Sequence, residues 1–314
     1  MFPLETAPMD SGQVLWSGSG HGYFPRTFEA VIETQTPEVF IAAICSGSNG
    51  NCYYVGTQND GVLIDAGASF SEIARRMAVL HLCPTKLRGI FVSHEHTDHV
   101  RGLELLAHRW DLPIWGTKKT LLRCRLGRSV HRGVAIEADS WIAVGELNVL
   151  PFRKKHDAAD PVSFVVEHGG VRIGVFTDIG RCCEALIRHF KTCHAVFLEA
   201  NYCEEMLASG SYPYHLKHRI SGGYGHISNN EALALFREHR SPHLSHLLLS
   251  HLSGNNNSPE RALQTFLPYC EDTEVVVASR FQCSPVFRIS PPAGGAALPV
   301  MAEQAQAVAQ ISLF

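Results

Sequence analysis

From about residue 38 onward, short apolar runs alternate with stretches of helical spacing. Phe40–Ile44, Cys52–Val55 and Val62–Asp65 read as strands joined by tight polar turns. A helix is expected over Phe70–Leu80, with Ser71 near its start. Leu87–Ser93 reads as a strand ending in a turn, and Val100–Arg109 has helical spacing. Pro113–Trp115 is a short strand, followed by a helix from about Lys118. Leu147–Phe152, Val162–Glu167 and Val171–Phe176 read as strands, the last two joined by Gly169-Gly170. Helices over 181–190, 228–239 and 258–266 lead into strands Ala195–Glu199, His246–Ser250 and Glu274–Ala278. A strand-rich first half and an alternating second half suit two packed sheets with helices outside. Residues 1–37 are rich in Gly, Ser and Pro and read as a partly ordered extension ahead of one domain, 38–290. The tail from 291 is rich in Ala, Gly and Pro, with a short helix expected near 300–310.

Composition narrows the class. The chain has 314 residues, 45% hydrophobic and 18% charged, with net charge -3, as in soluble globular proteins. Its ten cysteines form no C-x-x-C pair and no small-domain framework, and no secretory signal is evident. They read as reduced thiols of a cytoplasmic protein. No apolar run reaches the length of a membrane span.

The chemistry concentrates in Ser93-His94-Glu95-His96-Thr97-Asp98-His99. Three imidazoles and the Asp98 carboxylate in one strand-end loop suit zinc, manganese or iron. A loop merely rich in histidine is the plain alternative. One loop cannot enclose two metals, so further donors must come from other strand ends. Asp65, His156, Asp178 and His251 each follow an apolar run and precede a turn. Singly, such an aspartate is more often a turn or cap residue. Four repeats of the same arrangement favour ligation.

These residues, as His94-x-His96-x-Asp98-His99 with His156, Asp178 and His251, resemble the metallo-β-lactamase superfamily over roughly residues 38–288. Cys45–Val55, Leu63–Gly67, His156–Pro161, Gly225–Asn229 and Ser250–Ser253 resemble its YycJ/WalJ (VicX-like) branch, described as phosphodiesterases or DNA exonucleases. The resemblance implies an α/β fold, a four-layer αβ/βα sandwich, with two divalent metal ions, zinc or manganese, at one edge. It implies that His94, His96 and His156 hold one metal, that Asp98, His99 and His251 hold the other, and that Asp178 bridges them. Asp65 would orient a ligand histidine. A hydroxide between the metals would be the nucleophile, so no protein nucleophile is needed. Ser93 and Ser250 read as structural.

Beyond the ligands, His226 is assigned to the scissile phosphate, as a contact or a proton donor to the leaving oxygen. Ser228 or Asn229 would cap the helix behind it. Ser253, Asn255 and Asn256 are candidates for phosphate oxygens. Lys217 and Arg219, beside Tyr212 and Tyr214, are candidates for a DNA backbone with bases stacked on the tyrosines. A second basic stretch holds Lys118, Lys119, Arg123, Arg125, Arg128 and Arg132 without an acid. A solvated helix face explains that stretch equally well. Glu199-Ala200-Asn201-Tyr202 reads as a departure from the family pattern that leaves the ligand set untouched.

The expected activity is a metal-dependent phosphodiesterase, exonuclease-like on DNA, with no membrane partner. Antibiotic hydrolysis is disfavoured, because β-lactamases of this fold typically place cysteine at the bridging position. The interval from Asp178 to His226 is too short for the inserted domain of the β-CASP nucleases. Thioester or lactone hydrolysis is the alternative, and a non-catalytic scaffold stands third.

Overall fold

The computed structural model describes residues 36–291. Almost all of the expected N-terminal extension, and the tail with its helix near 300–310, lie outside the described residues.

The first half runs β1 (Val39–Cys45), β2 (Cys52–Gly56), β3 (Gly61–Ile64), α1 (Phe70–Val79), β4 (Leu87–Phe91), α2 (Thr97–Val100), α3 (Leu103–Trp110), β5 (Ile114–Thr117), α4 (Lys118–Arg123) and β6 (Gly133–Ile136). Then come β7 (Ile142–Val144), β8 (Leu147–Arg153), β9 (Val162–His168), β10 (Val171–Phe176), α5 (Glu184–Phe190), β11 (Ala195–Glu199), α6 (Glu204–Ser209), α7 (Tyr214–Ser221) and α8 (Asn229–His239). The chain closes with β12 (His246–Ser250), α9 (Pro259–Phe266), β13 (Glu274–Val277) and β14 (Phe287–Ile289).

Two seven-stranded sheets result, in the orders β14-β1-β2-β3-β4-β5-β6 and β13-β12-β11-β10-β9-β8-β7. Strands β3 to β6 pair in parallel, as do β10 to β13. The apolar runs are continuous because both faces of these strands are covered. On β1, Val39, Ile41 and Ala43 face the core between the sheets, while Ala42 and Ile44 face the outer helices. On β12, Leu248 points inward and Leu247 and Leu249 outward. The two-residue period of a strand sorts them. Ile73 and Met77 of α1 and Leu103 and Leu106 of α3 cover the first sheet. Phe190 of α5, Phe236 of α8 and Phe266 of α9 cover the second. The αβ/βα sandwich expected from the sequence is therefore the fold.

Local differences have local causes. The helix expected over Val100–Arg109 is broken into α2 and α3 at Gly102. There the chain passes so close to Ala66–Ala68 that an added Cβ would strike the Ala68 carbonyl. Ser71 lies in the first turn of α1, as expected, and the cap is Ser69, whose hydroxyl accepts from the Glu72 amide. The helix placed at 181–190 begins at Glu184. Ser228 does cap α8, in a reciprocal box with Glu231. Strands β6, β7 and β14 and helices α6 and α7 are too short or too polar to carry a periodic signal. All ten cysteines are unpaired. Among the described residues no helix is long and apolar enough to cross a membrane.

Candidate metal centre

The fold brings the C-terminal ends of β3, β4, β8, β10, β11 and β12 to one edge, where crossover sheets commonly hold their chemistry. Asp65 directly follows β3, His251 directly follows β12, and Asp178 lies one residue beyond Thr177 at the end of β10. All three have left-handed backbone, with φ of 63°, 57° and 52°. That conformation is uncommon outside glycine, and asparagine, aspartate and histidine tolerate it best. Strain of this kind collects at functional sites. The sequence pattern of strand, donor and turn is thus a sharp reversal that carries the donor off the strand end.

Seven donors expected from the sequence converge here. His94, His96 and His156 form one group, and Asp98, His99 and His251 another. Asp178 joins His94 and His99 in a third group and His226, His251 and Glu199 in a fourth. His94 Nε2 lies 3.1 Å from His96 Nδ1, and His156 Nε2 lies 3.4 Å from the same atom. In the second group, His251 Nε2 and His99 Nε2 lie 3.4 Å and 3.6 Å from Asp98 Oδ2.

The outer nitrogens decide which ring nitrogens face the centre. His156 Nδ1 is 3.0 Å from the Gly225 carbonyl, which only accepts, so Nδ1 holds the hydrogen. His99 Nδ1 donates to Asp65 Oδ2 at 2.7 Å, and His251 Nδ1 to Glu199 Oε1 at 2.8 Å. Ser93 gives its one hydroxyl hydrogen to Asp65 Oδ2 at 2.8 Å, so at 2.9 Å it accepts from His94 Nδ1. Four imidazoles therefore present Nε2 to the centre, each held by a partner behind it, as ligand histidines are. Ser93 is structural in this specific sense.

The centre suits cations. Burial holds His94 well below the ordinary histidine range and His156 down at about 4, so their inner nitrogens stay unprotonated. Three imidazole nitrogens gathered at these distances match the donor set of a transition-metal site. Burial disfavours charge on Asp178, yet His251 and His99 hold its carboxyl well below the usual range. Its Oδ2 is buried without a hydrogen bond, although His99 Nε2 is 2.9 Å away, off the hydrogen-bond direction. An ionised, unsatisfied carboxylate oxygen between two imidazole groups fits a bridging ligand for two cations.

The other expected residues fall around this core. His226 is partly exposed at its edge, with Nδ1 2.9 Å from Glu199 Oε1 and 3.8 Å from Asp178 Oδ1. Arg219 pairs with Asp157 at 2.7 Å, beside His156. The Lys217 ammonium donates to the Ala208 carbonyl. Asn255 bonds the Tyr212 hydroxyl at 2.7 Å, while Asn256 is buried with its amide turned to Ser253. Ser250 bonds the Leu248 carbonyl. In the other basic stretch, Arg132 pairs with Asp111 and Arg123 lies 3.9 Å from Glu95 of the histidine loop.

Three residues were missed. Glu199, read as a departure clear of the ligands, is fully buried inside the site. Its Oε1 meets His226 and His251, and its Oε2 accepts from the Ile179 and Ile227 amides. Asn51 hydrogen-bonds the Asp98 carbonyl through its amide and lies 3.1 Å from His99 Nε2 through Nδ2. Lys154 is buried with its ammonium on the Thr177 carbonyl, next to Asp178. A strand-end acid was the available signal for Glu199. Asn51 and Lys154 gave none.

Gly67 locks the histidine loop against Asn51. A Cβ there would overlap the Asp98 carbonyl and crowd the Asn51 amide. Gly67→Ala should cost about 1–3 kcal/mol through overpacking and displace Asp98. Bound metal should fall relative to the unaltered chain while circular dichroism stays native. Full metal content in that variant would show that the loop yields without consequence.

This edge, with five histidines and two aspartates gathered from four separate loops, is where the comparison with known families falls. Residues 61–251 match the β-lactamase superfamily domain. The chain belongs to that superfamily. It is 30% identical to exodeoxyribonuclease YycJ of Bacillus anthracis over 244 residues, covering 77% of this chain and 92% of that protein. It is 28% identical to exodeoxyribonuclease WalJ of Streptococcus pneumoniae serotype 2 (strain D39 / NCTC 7466), covering 76% and 91%. Its structure is similar to the metallo-β-lactamase fold protein YhfI from Bacillus subtilis, with a TM-score of 0.61 at 16% identity over 80% of this chain and 99% of that one. The YycJ/WalJ relatives are the branch whose motifs the sequence carries.

Proposed function

We propose that this member of the superfamily is a binuclear metal-dependent phosphodiesterase that degrades DNA as an exonuclease. The observation that carries the reading is the convergence of seven donors with a held histidine, His226, at their edge. His94, His96 and His156 would hold one zinc or manganese ion, Asp98, His99 and His251 the other, and Asp178 both. Bound there, two divalent cations supply activated water at neutral pH and stabilise charge on the phosphate.

The chain's own residues do the rest. Asp65, Ser93, Gly225 and Glu199 fix the ring orientations of the ligand histidines. Glu199 takes the Nδ1 hydrogen of His226 and leaves Nε2 as the atom for substrate. For the step, His226 carries a hydrogen on both nitrogens, the Nδ1 one held by the ionised Glu199; as the P–O bond breaks it passes the Nε2 proton to the leaving oxygen and is left neutral, to be reprotonated from water. Ser253 and Lys217 would contact the phosphate and the strand, whereas Asn255 and Arg219, bonded to Tyr212 and Asp157, would act by holding the rim in place. Asn256, being buried, would act by holding Ser253. The names of the two relatives with the same motifs support DNA as substrate. Thioester or lactone hydrolysis would want an apolar wall, whereas Asp157, Arg219, Asn255 and Tyr212 make this rim polar.

The test is a substrate comparison with the metal-loaded protein. End-labelled single- and double-stranded DNA should be shortened stepwise from one end, and thioesters and lactones should turn over poorly. Turnover of thioesters or lactones with intact DNA would reverse the assignment.

Metal binding should also release protons. Burial pushes the His99 imidazole down, but Asp178, Asp65 and Asp98 outweigh it and raise it to about 10. Against burial, Asp178, Asp98 and Glu199 raise His251 well above the ordinary range. In the metal-free chain both rings are imidazolium at neutral pH and must lose Nε2–H to ligate. Titration calorimetry in buffers of different ionisation enthalpy should show about two protons released per chain, with affinity rising as pH climbs from about 6.5 toward 10. Binding without proton release would contradict the roles given to His99 and His251.

A further inference from the structure

Between Glu205 and Glu231 the chain has no acidic residue. That stretch carries Lys217, Arg219, His215, His218 and His226, with Tyr212, Tyr214 and Tyr224. It is clamped to the metal centre at both ends. At one end the Tyr212 hydroxyl meets Asn255, four residues past His251. At the other, Arg219 grips Asp157 at 2.7 Å and 2.8 Å, and the Asp157 amide donates to the Tyr224 carbonyl at 3.0 Å. The next carbonyl, Gly225, holds His156.

The middle of the clamp contributes little to packing. Helix α7 buries none of its residues. Tyr214 is 82% exposed and Tyr224 is 55% exposed. Along α7 the Tyr214 and His218 rings lie parallel within 9°, centroids 6.1 Å apart. Arg219 is committed to Asp157, but Lys217 bonds only a neutral carbonyl and keeps its charge uncompensated. Two large exposed aromatic rings in one acid-free segment beside a site offer flat faces for a ligand to stack on.

We propose that residues 212–226 form a base-stacking platform for an unpaired DNA strand, with Tyr224 and Tyr214 as its stacking residues and Lys217 beside the backbone. This rests on the nuclease reading for its substrate. An unpaired strand offers its base faces to aromatic rings at every nucleotide, whereas a duplex hides them in its own stack. The absence of acids across the segment suits a polyanion. Its last stacking ring, Tyr224, lies two residues before His226 at the edge of the metal centre, so a strand lying on the platform leads to that centre.

The experiment reads binding and not cleavage. A fluorescein-labelled oligothymidylate with phosphorothioate linkages is titrated with metal-loaded protein and followed by anisotropy, beside a duplex of equal length. The single strand should bind more tightly than the duplex. Tyr224→Ala and Tyr214→Ala should each weaken single-strand binding by about tenfold, and Tyr224→Phe should keep it. Metal content and melting temperature show that fold and centre survive, and Tyr214 is exposed enough that its loss leaves packing intact. Unchanged affinity in both alanine variants, equal binding of duplex, or a Tyr224→Phe loss equal to that of Tyr224→Ala would each overturn the platform. A chain that binds the strand in this way yet cleaves no phosphodiester would defeat the nuclease reading and leave the platform standing.

Discussion

Asp178→Asn should abolish phosphodiester cleavage and strip metal from the centre while the chain stays folded. The substitution keeps the shape and removes the charge. Asp178 is ionised in a buried position because imidazoles on both sides favour its charge, and its Oδ2 has no hydrogen-bond donor. It is also shared between the group containing His94 and His99 and the group containing His226 and His251. A neutral amide ligates hard cations weakly and cannot bridge two of them well. The loss of activity should exceed the roughly 10–100-fold range seen when only a supporting residue of a metal site is removed. Metal analysis and steady-state rates on the purified variant check this. A variant that keeps its metal and loses less than tenfold in rate would remove Asp178 from the bridging position.

The second large effect is expected at Glu199, the residue the sequence reading set aside. Its carboxylate accepts from four donors, two imidazole Nδ1–H groups on Oε1 and two backbone amides on Oε2. Glutamine has a single acceptor oxygen. Whichever way a Glu199→Gln amide turns, its NH₂ faces two donors, at a side chain that is itself fully buried. Each buried donor left without a partner costs about 1–3 kcal/mol. His251 then loses the hold that aims Nε2 at Asp98, and His226 loses the hold that leaves Nε2 for the leaving oxygen. Metal affinity should fall about 10–100-fold. The rate measured at saturating metal should remain depressed, because His226 is disturbed independently of the ligands. Restoring full rate by raising the metal concentration would mean that Glu199 serves His251 alone.

Why Glu199 escaped notice while Asp65 did not is a matter of sequence distance. Both end an apolar strand. Asp65 stands in a Leu-Ile-Asp-Ala-Gly reversal, with the left-handed backbone that such a turn needs. Glu199 continues in extended register beside Ser250 and makes no turn. Its partners arrive from 27 and 52 residues away. The donors themselves were legible because ligation demands specific residue types and the strand ends were evident from hydrophobicity. Sheet order was not legible, since pairing β11 between β10 and β12 depends on crossovers rather than on any local pattern. The break at Gly102 was hidden for a similar reason. What forbids a side chain there is the Ala68 carbonyl, a contact across the fold. Helix α7, with the exposed Tyr214 at its start, shows the converse, because a short polar helix with no buried face leaves no periodic trace.

If the convergent donors hold two metal ions that sustain phosphodiester cleavage, metal content and cleavage must rise and fall together. The most direct test counts metal per chain in the purified protein and in His96→Ala, and measures cleavage of labelled DNA by the same samples before and after chelation and metal return. The expected result is about two ions per chain, cleavage that vanishes on chelation and returns with zinc or manganese, and loss of both metal and cleavage in His96→Ala. Two bound ions with no cleavage of DNA or of any simple phosphodiester would contradict it.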